Sequence, residues 1–460
     1  MIAPDRTTDI SRLRRHLGGD AFVTSLLSSG FAALLIKTAT AGLSFLMFVF
    51  FARVLSSGEF GKFAFGFSLA TTLAAFAAVG LSTAVLRFWP EYRAGGRADL
   101  AASFIRWGWW GTLAGSLITA VGVMAAGYLF GQRTGALASY HAAIGLLIAA
   151  IALSEFGASA LRADGRTVLA LAPRDIIWRI ALLLSMMLLG MANVRLDAVK
   201  GLYLAGALLT VIVAVQSFWS LPMAKGGNAC AAPAALRLKW LQALWPMWGG
   251  GMLFAMVQQF DVVVVGLFLT SEQAGSYFAA LRTASLLGLT LIAGSMVAAP
   301  LVARYHHASS RAELVRLCRV LSLCITLPTL LGLLFLLLAG RWLLAIFDAS
   351  FANAYPQLVI LAAAYAFAAI CGPTAVFLQM IGRERDHLKM TALCYAATLA
   401  AQCLLAPLIG PLGVAVPAML GMIGQSLWAL RLLRSELALD CSIFGLLWKP
   451  SPVPTARSLA

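Results

Sequence analysis

Val54-Leu55-Ser56-Ser57-Gly58-Glu59-Phe60-Gly61 and Phe268-Leu269-Thr270-Ser271-Glu272-Gln273-Ala274-Gly275 stand 214 residues apart and open two stretches, 54–100 and 268–314, that align without a gap. Eleven of the 47 aligned pairs are identical. The informative ones are Gly61 with Gly275, Gly80 with Gly294, and Arg97-Ala98-Asp99-Leu100 with Arg311-Ala312-Glu313-Leu314. Both copies read as apolar helix, short polar turn, apolar helix and basic loop. A duplicated half of this kind in a membrane chain is the ground plan of a transporter, with the site expected at the seam between the halves.

The 460 residues are 61% hydrophobic and 11% charged, and the mean hydropathy is +0.89. Globular chains carry roughly 25% charged residues. Apolar runs of about 18 to 25 residues recur, each long enough to cross the hydrocarbon as a helix. The fold class is therefore an all-α polytopic membrane protein. We read twelve spans, near 30–52, 63–86, 107–130, 141–161, 175–192, 198–219, 243–267, 277–302, 320–339, 356–380, 390–408 and 413–430. They divide the chain into an N-terminal arm (1–29), a first lobe (30–219), a linker (220–242), a second lobe (243–430) and a tail (431–460).

The net charge of +16 is spread through short connectors rather than gathered in an arm, which argues against nucleic acid. Of the 34 Lys and Arg residues, 26 fall in the arm, the connectors after even-numbered spans and the tail, and 6 in the connectors after odd-numbered spans, with Arg179 and Lys200 in the first turns of their spans counted with the adjoining connectors; Lys37 and Arg282 lie deeper within spans. The positive-inside rule then places both termini in the cytoplasm. Six spans per lobe give the lobes one orientation, related by an axis along the membrane normal. The apolar run after the arm is too long for a signal h-region, so the first helix is expected to stay as an anchor. The seven cysteines show no metal-ligand spacing, and free thiols are expected.

An ionised side chain inside a span costs roughly 2.5–3.5 kcal/mol and so faces a cavity or a partner. Lys37 either snorkels to the headgroups or lines the lumen. Asp261 and Arg282 sit at similar depth in one hairpin. They form either a structural ion pair or a switchable one, in which Asp261 takes a proton or sodium ion while Arg282 holds an anionic substrate. Glu155 is either a packing group or a second coupling-ion site. Arg53 and Arg87 end the first two spans as headgroup anchors or as ligands. Gln258 and Gln259 are placed to meet sugar hydroxyls. Pro246, Pro300, Pro328, Pro373 and Pro417 are the expected interruptions, and the seventh span, with Gly249-Gly250-Gly251, is the expected moving element.

No HExxH, Walker A or GxSxG pattern is present. The longest external connector, around 341–355, offers only Arg341 and Asp348. A membrane glycan polymerase or glycosyltransferase is thus disfavoured, and no enzyme activity, cofactor or metal is expected.

Phe51-Ala52-Arg53-Val54-Leu55-Ser56-Ser57-Gly58-Glu59-Phe60-Gly61-Lys62-Phe63 resembles the signature that opens the Wzx-like polysaccharide flippases of the multidrug/oligosaccharidyl-lipid/polysaccharide (MOP) exporter superfamily. Val79-Gly80-Leu81 with Leu86-Arg87-Phe88-Trp89-Pro90-Glu91, Leu269 to Tyr277, and Gly410-Pro411-Leu412-Gly413 to Ala418 look like that family's later motifs. Ser56 stands where the family usually has glycine. The resemblance implies two six-helix lobes around a central cavity. It also implies a transporter in the bacterial inner membrane that flips undecaprenyl-diphosphate-linked oligosaccharide outward by alternating access, for O-antigen or exopolysaccharide synthesis. Its implied partners are the lipid-linked glycan, membrane lipids and a glycan polymerase or chain-length protein; H+ or Na+ at the intramembrane Asp261 or Glu155 is our own expectation for the coupling ion. Its cationic cavity residues map onto Arg53 and Arg87, to which the intramembrane Lys37 and Arg282 are our additions. Twelve spans rather than the fourteen of lipid II flippases favour an O-antigen or exopolysaccharide unit. The rival in the same superfamily is a drug/cation antiporter.

Overall fold

The computed structural model describes residues 38–130, 135–192, 195–224, 233–307, 310–437 and 439–446. Lys37 lies outside the described residues. All regular structure among them is helical. The helices are α1 (Thr38–Val54), α2 (Ser57–Ala77), α3 (Leu81–Ala94), α4 (Ala98–Phe130), α5 (Gly135–Ala163), α6 (Thr167–Ala172), α7 (Trp178–Met191) and α8 (Ala198–Ala224), followed by α9 (Ala234–Phe268), α10 (Ser271–Ser285), α11 (Gly288–His307), α12 (Arg311–Phe347), α13 (Tyr355–Cys371), α14 (Thr374–Met380), α15 (Glu384–Ile409) and α16 (Leu412–Leu437). Ten helical stretches among the described residues are long and apolar enough to cross a membrane. Their large side chains turn outward, as at Ile118 (74% exposed) and Leu338 (80%), which is the reverse of a water-soluble core and what a lipid solvent selects. The protein is a multi-pass membrane protein.

The repeat is written into the helix starts. Ser56 caps α2 by accepting from the Glu59 amide, and Thr270, 214 residues later, caps α10 in a reciprocal box with Gln273. Both satisfy amides that a helix start leaves unpaired. α4 and α12 begin one residue out of the same register, at Ala98 and Arg311. The packing repeats too: α5 packs on α4 and α8 in the first half, and α13 packs on α12 and α16 in the second. The halves meet where α2 lies against α10 and α9. We call the end where α1 finishes and α2 and α10 begin the upper end.

There the repeat-related glycines touch. A Cβ on Gly275 would sit 3.1 Å from the Gly61 Cα, and one on Gly61 only 1.6 Å from the Ser271 carbonyl oxygen. Phe60 packs against Phe278, Phe347 and Phe351 across the seam, Phe48 meets Phe278 edge-on at 4.7 Å, and Phe45 meets Phe347 at 5.2 Å. Edge-to-face pairs of this kind contribute about 0.5–1.5 kcal/mol each beyond area burial. The upper end is sealed.

Three rods are broken and a fourth carries a π turn. α2 gives way to α3 through Val79 (φ 47) and Gly80 (φ 72); Gly80 is required there because its own Cβ would meet the Trp248 backbone at 2.8 Å. Pro173–Ile177 is a π turn between α6 and α7, a geometry suited to a residue that lacks an N–H. α10 and α11 part at Leu286-Leu287, and α13 and α14 at Gly372 (φ 76) and Pro373. Of the five prolines expected to interrupt spans, Pro373 alone marks a break. Pro246, Pro300, Pro328 and Pro417 sit inside continuous helices, as does Gly249-Gly250-Gly251.

Candidate substrate cavity

Below the seal the halves enclose a cavity of about 830 Å³. Its uppermost lining side chains include Gln259, Arg282 and Thr71, which lie nine or more residues from the upper ends of α9, α10 and α2. At 1.5 Å per residue that leaves roughly 14 Å of packed protein above them. At the other end the lining reaches His387, three residues into α15. The chamber is closed above and extends to the lower end.

Arg282 projects into the top of the cavity from α10. Its guanidinium donates to Gln259 Oε1 at 2.7 Å and lies over the rings of Phe278 (4.7 Å) and Phe48 (5.3 Å). Stacked between neutral partners, it makes no ion pair with a carboxylate among the described residues, and its Nε has no protein partner. Gln258 lines the cavity beside Gln259.

Asp261 is not Arg282's partner. It accepts from Gln402 Nε2 at 2.8 Å, and the same amide reaches the Val414 carbonyl at 3.3 Å. The reason is azimuthal: two residues on from Gln259 is about 200° round a helix. When Gln259 faces the cavity, Asp261 therefore faces α15 and α16. Similar depth does not make two residues neighbours.

The first half contributes charge that is already paired. Glu155 of α5 accepts from Arg174 at 2.5 Å and lies 3.8 Å from Arg162. Asp175, buried, lies 3.8 Å from both Arg174 and Arg179. Arg179 donates to Ser44 Oγ of α1 and to the Asp175 carbonyl, each at 2.6 Å. Glu155 and Arg174 line the cavity. A count of charges by connector assigns Arg174 and Arg179 to the connector after the fourth span, whereas both lie on the α6–α7 rod. The available signal was Pro173-Arg174-Asp175, a proline followed by opposite charges at the mouth of an apolar run.

Two expected cavity cations lie elsewhere. Arg53 is exposed at the upper end, where Nε donates to the Ile346 carbonyl at 2.5 Å and a terminal nitrogen to that of Ala345 at 3.2 Å. These are unsatisfied carbonyls at the C-terminus of α12, where helix polarity favours a cation. Arg53 is thus a strap between α1 and α12. Arg87 is exposed on α3 over the Phe88 ring, beyond the lined stretch that ends at Thr83. Trp248 lines the cavity and donates to the Phe76 carbonyl at 3.0 Å, next to the α2–α3 break.

The model of a family described as polysaccharide biosynthesis protein matches residues 26–306. The chain belongs to that family. The fold of this family member is similar to that of a lipid II flippase, MurJ, in an inward closed conformation (TM-score 0.70, 14% identity, 90% of this chain and 91% of that one). It is also similar to a multidrug resistance MATE family transporter of the MOP superfamily. The inward-facing form gives a TM-score of 0.65 (16% identity, 87% and 94% covered). The outward-facing form gives 0.56 (16% identity, 88% and 96% covered). The protein therefore shares the fold of these transporters. A search of curated protein sequences finds no match.

Proposed function

We propose that this protein flips an undecaprenyl-diphosphate-linked oligosaccharide across the bacterial inner membrane by alternating access, for O-antigen or exopolysaccharide synthesis. The lower end is then cytoplasmic and the upper end periplasmic. On this reading α1 and the α6–α7 rod are two further crossings beside the ten long helices, for twelve in all, with six in each proposed lobe (30–219 and 243–430). The observation that carries the reading is Arg282: among the described residues, a cation with no carboxylate partner at the closed end of a cavity whose other lining charges, Glu155 and Arg174, neutralise each other.

Each hydroxyl stripped of water costs kilocalories in hydrocarbon, so a glycan needs a wet path. The tails can stay in lipid while the diphosphate meets Arg282, where low local dielectric strengthens the attraction. With the cytoplasm negative, carrying about two negative charges outward releases roughly 4–5 kcal/mol per 100 mV. Asp261, held by Gln402 between α9, α15 and α16, serves as the coupling-ion carboxylate that resets the carrier with a proton or sodium ion. The drug/cation antiporter reading is disfavoured because the cavity's own carboxylate, Glu155, is taken up by Arg174 and Arg162.

The test is a deletion strain complemented with variants. Loss of the protein is expected to accumulate lipid-linked glycan in the cytoplasmic leaflet. Arg282→Ala should cut translocation at least tenfold at normal expression, with partial rescue by Arg282→Lys. Wild-type translocation by Arg282→Ala, or no accumulation on deletion, rejects the proposal.

A further inference from the structure

Charge and neutral polarity are segregated in the cavity. Below Arg282 the wall from the second half carries hydroxyl, amide and imidazole groups on three helices: Thr374 on α14, His387 on α15, and Gln425 with Ser426 on α16. Gln425 is pre-organised. Gln425 Nε2 donates to Thr391 Oγ1 at 2.9 Å, and Thr391 Oγ1 donates to the His387 carbonyl at 2.9 Å. The chain fixes the amide of Gln425 and leaves its Oε1 as an acceptor. His387 Nδ1 has no protein partner. Met390 and Met422 line the wall between these polar groups, supplying soft apolar surface. Thr374 sits directly after the Gly372-Pro373 break, so α14 presents it to the cavity at an angle that a straight α13 would not allow.

A polyhydroxylated ligand presents donors and acceptors around its edges and C–H surface on its faces. This wall offers the complement. A carboxylate or aromatic cage would suit an organic cation, and this part of the lining has neither. From helix rise, His387 lies about 18 Å below Arg282 along the membrane normal, room for sugar rings trailing a diphosphate held at Arg282.

We infer that Thr374, His387, Gln425 and Ser426 form the subsite for the sugar portion of a lipid-linked glycan, separate from the diphosphate anchor at Arg282, and that this wall sets which glycan is accepted. The inference rests on the flippase reading above. The subsite acts by hydrogen bonding to hydroxyls. It is therefore blind to a carrier lipid without sugar.

The test uses the full-length protein in lipid nanodiscs and two probes in equilibrium binding: undecaprenyl diphosphate, and the lipid-linked glycan extracted from the deletion strain. The triple variant Thr374→Val/Gln425→Leu/Ser426→Ala should bind the glycan-bearing lipid at least tenfold more weakly and undecaprenyl diphosphate as the wild type does, the second result also showing that the variant is folded. Arg282→Ala should weaken both. Wild-type affinity of the triple variant for both probes overturns the inference. If the triple variant loses both, Gln425→Leu alone decides: selective loss of glycan binding supports the subsite, and equal change for both probes rejects it. A wild-type protein that binds neither probe sinks the flippase reading itself, and the subsite with it.

Discussion

Gly61→Ala should unseal the upper end. The added Cβ would lie 1.6 Å from the Ser271 carbonyl oxygen and 2.4 Å from its carbon, both rigid backbone atoms at the start of α10. Carbon and oxygen approach without penalty only to about 3.3 Å, so α2 and α10 must separate by roughly 1.7 Å. A shift of that size also strains the Arg53 strap and the Phe60 contacts with Phe278 and Phe351. Overpacking costs about 1–3 kcal/mol, and only the closed-top state suffers it. At about 1.4 kcal/mol per tenfold, the ratio of open-top to closed-top molecules should rise roughly 5- to 150-fold. The assay is alkylation of Thr71→Cys, a cavity position, by a membrane-impermeant maleimide added to intact cells, with the native cysteines replaced. The closed state should react slowly and Gly61→Ala at least five times faster. Gly58→Ala is the control: its Cβ would meet only Glu272 Cγ at 3.9 Å. If Gly61→Ala folds, inserts and leaves Thr71→Cys as protected as before, the α2–α10 seam is not the seal.

Other perturbations separate structural from transport roles. Arg53→Ala removes two charge-assisted bonds, worth about 1 kcal/mol at an exposed site; Thr71→Cys labelling should rise about fivefold while undecaprenyl diphosphate binding holds, and a fall in binding would put Arg53 in the substrate path instead. Glu155→Gln leaves Arg174 and Arg162 without their shared carboxylate. It should destabilise by about 1–2 kcal/mol after allowing for partial exposure, lower the melting temperature and tighten binding of inorganic pyrophosphate; unchanged pyrophosphate affinity would show that Arg174 is not reachable from the cavity. Asp261→Asn preserves the shape that accepts from Gln402, so folding and substrate affinity should persist while gradient-driven turnover falls at least tenfold. Normal turnover in that variant would remove Asp261 from the coupling scheme.

Local rules read well from the chain where they concern backbone satisfaction. Ser56 and Thr270, each followed three residues later by Glu or Gln, announce two helix starts, and both are there. Proline was the poorer guide. Pro246, Pro300, Pro328 and Pro417 ride inside helices, whereas α2 breaks at Gly80, which is pressed against the Trp248 backbone, and α10 from α11 at Leu286-Leu287. A proline removes one hydrogen bond, and a long rod supported by its neighbours absorbs that loss. A break needs a tertiary reason, and no single position encodes one. The candidate site shows the same division. Depth along a rod is legible by counting residues, and Gln258, Gln259 and Arg282 line the cavity. Azimuth is not, and Asp261 faces away. Arg174 escaped because a count of charges by connector treats the first turns of a rod as loop.

The repeat explains the seam and hides the site, for one reason. Two equivalent halves packed about an axis make a self-complementary contact, and Gly61 against Gly275 is such a contact, visible in the chain as a matched pair. A single substrate molecule has no two-fold symmetry, so a site lying near that axis is best built by making the halves differ. At the same offset Arg282 is matched by Ser68, which is fully buried, and Gln259 by Phe45. The second half thus supplies the proposed anchoring cation and its amide partner, while the first supplies packing at those positions and a neutralised Glu155–Arg174 pair across the cavity. On the proposed function, rocking is governed by residues the repeat conserves between its copies, and binding by residues at which the copies depart. A substitution that restores symmetry in the site, Arg282→Ser, should therefore abolish anchoring and leave the seam, the seal and the fold as they are.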